Sequence, residues 1–435
     1  MRTRFAHFLS QGVLFCLVLS ACTDSPVAPA SANRAATVPE LPASRREDLA
    51  RLGREIFRDE NLSLRRNQSC AFCHDAAWGF TSPDPEINAR GAVVHGSVRT
   101  RFGSRKPPSA AYATQSPVLF FDDVDGTYVG GNFWDGRATG ARLGSPAAEQ
   151  SQAPFLNAVE QALPDRACVV FRISRGTYAR LYTHAYGRSI TTIAFPATTN
   201  GLCEQENVTV PLTPAARAQV DVEYDRIARA IAAFEASPEV NQFDSKHDAV
   251  MRGAATFTPI EAQGFALYVG KANCAACHPN AGARALFTDF TYDNIGIPAN
   301  PENPAFISDP AFQDLGIGGF RGEPGEWGKQ KVPTLRNLDK RGIPNGAKSY
   351  MHNGALKSLE LVVHFYNTRD VLPACTAVPS PQTGVNCWPA PEVLDNVNHD
   401  ELGDLGLTPE EEDAVVQYLK TLSDGYTRRA TLVSR

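Results

Sequence analysis

Methionine is scarce in this chain: three of 435 residues, at Met1, Met251 and Met351. A thioether ligand to a metal has no other source here. Basic charge is in deficit, with 42 Lys and Arg against 47 Asp and Glu, a net charge of −5, and no basic block. Nucleic acid is therefore not an expected partner, because phosphate binding needs clustered cations. Long apolar runs are also missing. Beyond the N-terminal stretch no segment is apolar enough to form a transmembrane helix, so contact with a membrane is expected only through a lipid anchor.

That N-terminal stretch reads MRTRFAHFLSQGVLFCLVLSAC. Arg2 and Arg4 precede an apolar run too short to span a bilayer comfortably, and small residues follow, as in a secretory signal peptide. Leu19-Ser20-Ala21-Cys22 resembles a bacterial lipobox, in which Cys22 becomes the lipidated first residue. Ordinary cleavage near Ala21, with Cys22 an idle thiol, is the alternative. Residues 1–22 read as a lipoprotein-type signal and residues 23–44, rich in Ala, Pro and Ser, as a flexible tether. The expected location is the periplasm, anchored by lipid to a bacterial membrane.

Ten cysteines and nine histidines carry the chemistry. Cys70, Cys73 and His74 form C-x-x-C-H in SCAFCHDAA, and Cys274, Cys277 and His278 repeat it in ANCAACHPN. Random placement would give the pattern roughly 0.005 times in a chain of this composition, so chance does not explain two copies. A zinc ribbon needs its cysteine pairs roughly 15 to 20 residues apart, and these lie 204 apart. A thioredoxin-type motif does not require His after the second Cys. Covalent c-type haem does: two thiols add to the vinyl groups, and the adjacent imidazole falls under the iron as proximal ligand. Two covalently bound haem c groups are expected, with His74 and His278 as iron ligands. After the signal, Cys22 and the haem thiols, Cys168, Cys203, Cys375 and Cys387 remain. Three pairings are open to them, and the local one, Cys168–Cys203 with Cys375–Cys387, suits an oxidising periplasm.

A similar helix precedes each haem motif. Ser44 to Glu47 and Thr258 to Glu261 both have the capping-box form, the second with Pro259 at the first helical position. Gly53 is followed by Ile56 and Phe57, and Gly264 by Leu267 and Tyr268, apolar pairs one turn on from the glycine. A third capped helix starts at Thr408 and carries Val415, Tyr418, Leu419 and Leu422 on one stripe. The expected fold is mainly α, with little sheet: two cytochrome c-like haem domains separated by long Gly/Pro-rich loops. The N-terminal domain spans 45–245 and the C-terminal one 246–425, followed by a tail over 426–435.

The two haem motifs, together with GNFWDGRATG, EQSQAPFLNAVEQ, FTDFTYDNIGIP, KVPTLRNL and SYMHNGALKSLELVVHFYN, stand in the order found in bacterial dihaem cytochrome c peroxidases and their relative MauG. Over roughly residues 45 to 425 the chain resembles that family. The resemblance implies that the haem on His74 meets peroxide and the haem on His278 transfers electrons. It implies Trp134 as an electron relay between the haems, Glu160 as the acid–base group of the peroxide pocket, and Gln150 as a pocket glutamine. A single carboxyl group above the haem can take a proton from one peroxide oxygen and return it to the other.

Two departures from the family pattern matter. The family's peroxidases cap the resting first haem with a His, but the only His in the inserted region here, His95, sits out of register, so an open site as in MauG is expected. Calcium between the haems is held in the family partly through an Asn just before an SP dipeptide. Lys106 stands at that place in RKPPS and offers no oxygen to a hard cation, which leaves only backbone carbonyls near Ala347 and Ser349 for a calcium ion.

The sixth ligand of the second haem is expected to be Tyr366. It lies fourteen residues after His352, where the family has Met in its peroxidases and Tyr in MauG. If SLELVVHFYN is a helix, Leu359, Val362, Val363 and Tyr366 form the buried stripe, and Glu360 and His364 pair on the outer face. A peroxidase reducing hydrogen peroxide with electrons from a small periplasmic donor (a cytochrome c or cupredoxin) is the first functional reading. A MauG-like oxidase acting on a partner protein and a pure dihaem electron carrier are the others, and an acid–base pocket speaks against the carrier.

Overall fold

The computed structural model describes residues 42–282 and 284–427. The signal peptide, the lipidation site at Cys22 and the tether up to residue 41 lie outside the described residues, as does the tail from residue 428.

Six helices position the site. α1 (Ala43–Phe57) begins directly after Pro42, which is extended and supplies no side-chain cap. Ser44 therefore falls inside the first turn, and the capping box expected from Ser44 and Glu47 does not form. α2 (Pro146–Leu156) is capped by Ser145 and carries Gln150. α3 (Pro214–Glu235) starts at the cap Thr213 and is the longest helix. α4 (Pro259–Val269) has the expected capping box between Thr258 and Glu261. α5 (Leu359–Thr368) is capped by Ser358. α6 (Pro409–Lys420) has a second capping box between Thr408 and Glu411.

The two ends of the chain repeat one packing device. α1 lies along α3, and α4 lies along α6. At each crossing the backbones come so close that only glycine fits. A Cβ on Gly53 would lie 1.9 Å from the Ala230 carbonyl oxygen, and one on Gly264 would lie 1.8 Å from that of Ala414. Each glycine helix is followed by a C-x-x-C-H segment, the first after a helical turn over Glu60–Leu62 and the second within a few residues. One core gathers Leu52, Ile56, Phe155, Ile227 and Phe234, and another gathers Tyr268, Phe287 and the whole α6 stripe of Val415, Tyr418, Leu419 and Leu422. The division expected near residue 245 falls in the gap between these cores, and it stays a proposal about organisation, since Pro42 onward forms one compact unit.

Sheet is sparse, as expected from the sequence. Phe120–Asp122 pairs antiparallel with Thr127–Val129, and Tyr292–Asp293 pairs antiparallel with Gln330–Lys331. Disulfides join Cys168 to Cys203 and Cys375 to Cys387, the local pairing. A buried ion pair ties early and late segments together: Arg336 donates to both carboxylate oxygens of Asp248 at 2.9 and 2.8 Å, with its guanidinium over the rings of Tyr112 and Phe243.

Gly264→Ala places a methyl group against the Ala414 backbone, which has no room to move without shifting α6. We expect a loss of about 1–3 kcal/mol of stability from overpacking, read from urea unfolding. An unchanged midpoint would mean that the α4–α6 crossing is not tight.

Candidate dihaem active site

Cys70, Cys73, Cys274 and Cys277 are all unpaired and partly buried. Burial pushes the thiols of Cys70, Cys274 and Cys277 up to about 12, and Cys73 higher still. They stay protonated at neutral pH, which does not suit a thiolate metal site.

The two motif histidines share one orientation device. His74 Nδ1 lies 2.9 Å from the Phe80 carbonyl oxygen, and His278 Nδ1 lies 2.8 Å from that of Phe287. A carbonyl can only accept, so each Nδ1 carries the hydrogen and each Nε2 keeps its lone pair. Burial lowers both imidazoles from their ordinary pKa, which favours the neutral, ligating form. Phe80 and Phe287 both hold positive φ, 58° and 54°. Such backbone costs on the order of 1–3 kcal/mol in a non-glycine residue, and here it aims the carbonyl at the imidazole.

A cavity of about 310 Å³ brings most of the expected site together. His74, Trp134, Gln150, Cys274, Cys277, His278 and Tyr366 all line it. Trp134 is 9% exposed. Its indole N–H donates to the Lys106 carbonyl at 2.9 Å, and its own carbonyl accepts from the Lys331 N–H at 2.8 Å. Its ring meets that of His352 edge-on at 6.4 Å.

Cys70, Cys73 and Glu160 flank this cavity without lining it. Glu160 is close enough for its charge to raise both thiols. Burial holds its carboxyl above the usual carboxylate range, with Arg137 and Asn157 pulling the other way, and its Oε2 is buried without a hydrogen-bond partner. The loop holding it is fixed by Ser97 N–H donating to the Glu160 carbonyl at 2.6 Å and by Leu64 N–H donating to that of Gln161 at 2.7 Å.

The rival ligands separate by their surroundings. His95 does not line the cavity: its Nδ1 lies 2.8 Å from the Gly96 carbonyl, and its ring meets Phe72 at a tilt and Phe102 edge-on. His364 bonds Glu412 at 3.0 Å. The expected Glu360–His364 pair does not form, because α6 brings Glu412 to the histidine and Lys420 to Glu360 at 3.0 Å. His352 and Met351 do line the cavity, from the loop before α5. Tyr366 lies near the second haem motif, where burial and the Cys277 and Cys274 thiols push its phenol up, and its hydroxyl has no hydrogen-bond partner among the described residues.

Sequence reasoning missed several polar groups of the cavity. Glu235, the last residue of α3, lines it with Oε2 unpartnered, and burial lifts its pKa to about 8. Its position four after Ile231 and eight after Ile227 on one helical stripe was a signal available in the sequence. Lys331 and Lys348 also line the cavity, and no motif marks them as buried.

Residues 47–256 match the Di-haem cytochrome c peroxidase family. Methylamine utilization protein MauG of Paracoccus denitrificans is 35% identical over 385 residues, covering 86% of this chain and 88% of that protein. The chain belongs to the dihaem cytochrome c peroxidase and MauG family. A cytochrome-c peroxidase of Denitromonas iodatirespirans is 25% identical, covering 78% of this chain and 79% of its own. The solved diheme peroxidase BthA of Burkholderia thailandensis overlays with a TM-score of 0.68 at 26% identity, covering 89% of this chain and 88% of that one.

Membership implies two haem c groups, and the residues present fit them. Two thiol pairs, two imidazoles oriented by backbone carbonyls and an apolar cavity reached by both histidines are the donor set and space such groups require.

Tyr366→Phe should change the electron paramagnetic resonance signal of the haem on His278 in the resting protein, while His364→Ala leaves that signal in place because His364 is engaged by Glu412. An unchanged signal in Tyr366→Phe would remove tyrosine as the sixth ligand.

Proposed function

We propose that this oxidoreductase is a periplasmic peroxidase that reduces hydrogen peroxide at the site of His74, with electrons relayed from the site of His278. The observation that carries this reading is that both ligating histidines and Trp134 wall one cavity while a buried, partnerless carboxyl, Glu160, stands beside the first thiol pair. When bound, the two haems supply the iron that exchanges electrons with peroxide. Reduction of one peroxide takes two electrons and two protons and yields two waters.

The protein's part is to bind, hold protons and guide electrons. Glu160 takes the proton from one peroxide oxygen and gives it to the other, making the departing oxygen a water instead of hydroxide. Burial raises its carboxyl above the usual carboxylate range, toward the neutral form that can give a proton. Gln150, whose side-chain amide is not used elsewhere among the described residues, orients the peroxide by hydrogen bonding. Trp134, clamped at its indole nitrogen and its own carbonyl, keeps a fixed aromatic path between the two sites. Tyr366 would hold the second iron through its phenol oxygen, which would have to give up the proton that burial otherwise keeps on it, and such a hard anionic donor would favour the ferric state and lower the potential there.

The electron source in this reading is a small periplasmic donor, a cytochrome c or cupredoxin. A second reading, oxidation of residues in a partner protein, is favoured by Tyr366 at the ligand position and by the 35% identity to MauG. Peroxide turnover with a small reduced donor, measured with and without prior one-electron reduction of the enzyme, separates them: sustained turnover supports the peroxidase, and none with any small donor supports the oxidase. Periplasmic location and the lipid anchor at Cys22 belong to the same proposal and rest on the leader sequence. Calcium has no place in it. The Lys106 ammonium donates to Thr81 Oγ1 at 3.1 Å and faces the Pro107 carbonyl at 3.4 Å, so it takes up oxygens a cation would need and repels a second positive charge.

Glu160→Gln keeps size and polarity but cannot carry the proton. Stopped-flow mixing with peroxide should be slower by roughly 10²–10⁴-fold. An unchanged rate would move the acid–base role to another group, with Glu235 the next to test.

A further inference from the structure

Three lysines line the cavity, and none has a carboxylate partner. Lys106 and Lys348 are 8% and 4% exposed. The Lys106 ammonium meets only Thr81 Oγ1 and the Pro107 carbonyl. That of Lys348 donates to the carbonyls of Trp78, Asn337 and Lys340 at 3.2, 2.8 and 2.9 Å. That of Lys331 donates to Ser116 Oγ and the carbonyls of Gly130 and Gly131 at 2.8, 3.0 and 2.6 Å. Among the described residues none of the three forms an ion pair, although the buried Arg336 and Arg369 do.

Burying an ammonium among neutral oxygens disfavours its charge. Burial accordingly draws Lys106 down to about 8, Lys331 to about 7 and Lys348 well below its ordinary value, while Asp289 and Asp339 exert only a smaller opposite pull on the last two. Three such groups line the cavity, and the carboxyl groups that also line it, Glu235, Asp293 and Glu401, form no ion pair with any of them among the described residues. Each haem brings two propionate carboxylates.

We propose that Lys106, whose ammonium keeps one N–H beyond Thr81 and Pro107, binds a haem propionate carboxylate, and that Lys331 and Lys348, whose three N–H groups are all taken, compensate propionate charge through space, so that the ammonium groups take the place of a divalent cation between the two sites. The proposal rests on the dihaem reading. It also gives Trp134 a second role, because its two backbone-linked neighbours, Lys106 and Lys331, would tie the aromatic path to the edges of the cofactors. These lysines are positioning residues: they hold the cofactors and tune them, and they touch no peroxide.

The test uses the holoprotein and the single variants Lys106→Met, Lys331→Met and Lys348→Met, with Lys106→Arg as the conservative control. Haem content per chain is measured first, then the reductive titration of each haem and the infrared redox-difference spectrum in the carboxyl region. Each Met variant should keep two haems. Its half-reduction point should move to lower potential by the equivalent of at least about tenfold in the reduction equilibrium, because a positive charge beside the iron is lost. A protonated-carboxyl band should appear on reduction, since a buried propionate that stays charged beside ferric iron takes up a proton when the charge of the iron falls. Lys106→Arg should restore both readouts. If one variant fails to fold, the other two decide. Two haems with unchanged titrations in the folded variants would overturn the proposal, as would a lowered potential without a new carboxyl band. A wild-type chain without covalent haem would remove the dihaem reading itself and the proposal with it.

Discussion

Everything in the site hangs on two hydrogen bonds from imidazole to backbone. His74 to Phe80 and His278 to Phe287 fix which nitrogen is free and where it points. In both cases the accepting carbonyl belongs to a phenylalanine held at positive φ. That conformation persists only because the surroundings over-determine it. Phe287 is fully buried in the second core, while Phe80 packs in the first and its carbonyl also accepts from the Ala110 N–H at 3.0 Å. A phenylalanine released to an ordinary conformation would turn its carbonyl away and free the imidazole to rotate. The cores, the glycine crossings and the disulfide between Cys168 and Cys203 can be understood as the rigid frame that such an orientation needs.

The frame also couples the two halves. Arg105 joins Asp135 and, across the expected division, Asp314 at 2.6 Å each, Tyr112 donates across it to Asp424 at 2.6 Å, and the nearly unexposed Arg336–Asp248 pair of the second half stacks on Tyr112 of the first. Removing one partner of such a pair leaves a buried charge without compensation, so the segments around the cavity resist moving independently. Trp134 is fixed within that rigid region at its indole nitrogen and its backbone. An electron path through an aromatic ring needs constant separation more than it needs strength, and in the proposed relay this clamp would provide it.

The parts of the molecule legible in the sequence were those written in local spacing. C-x-x-C-H marked the two histidines that wall one cavity, the Thr258 and Thr408 boxes named two helix starts, and the stripe of α6 was buried as its period implied. Of the three disulfide pairings open to the remaining cysteines, the local one forms. What stayed hidden depends on contacts far apart in the chain. Ser44 has the form of a cap, but Pro42 starts the helix first. His364 and Glu360 have the spacing of a pair, but α6 supplies each with a different partner. Glu235 and the three lysines are polar residues in buried places, and only the fold puts them around one cavity.

The central claim is that peroxide reacting beside His74 draws on electrons from the site of His278 through the wall that contains Trp134. The most direct measurement mixes fully oxidised holoprotein with one equivalent of hydrogen peroxide and follows both haem sites by freeze-quench electron paramagnetic resonance. The account predicts that the signals of both sites change within one turnover, with the second following the first more slowly in Trp134→Phe. A response confined to the His74 site, or equal rates with and without Trp134, would contradict it.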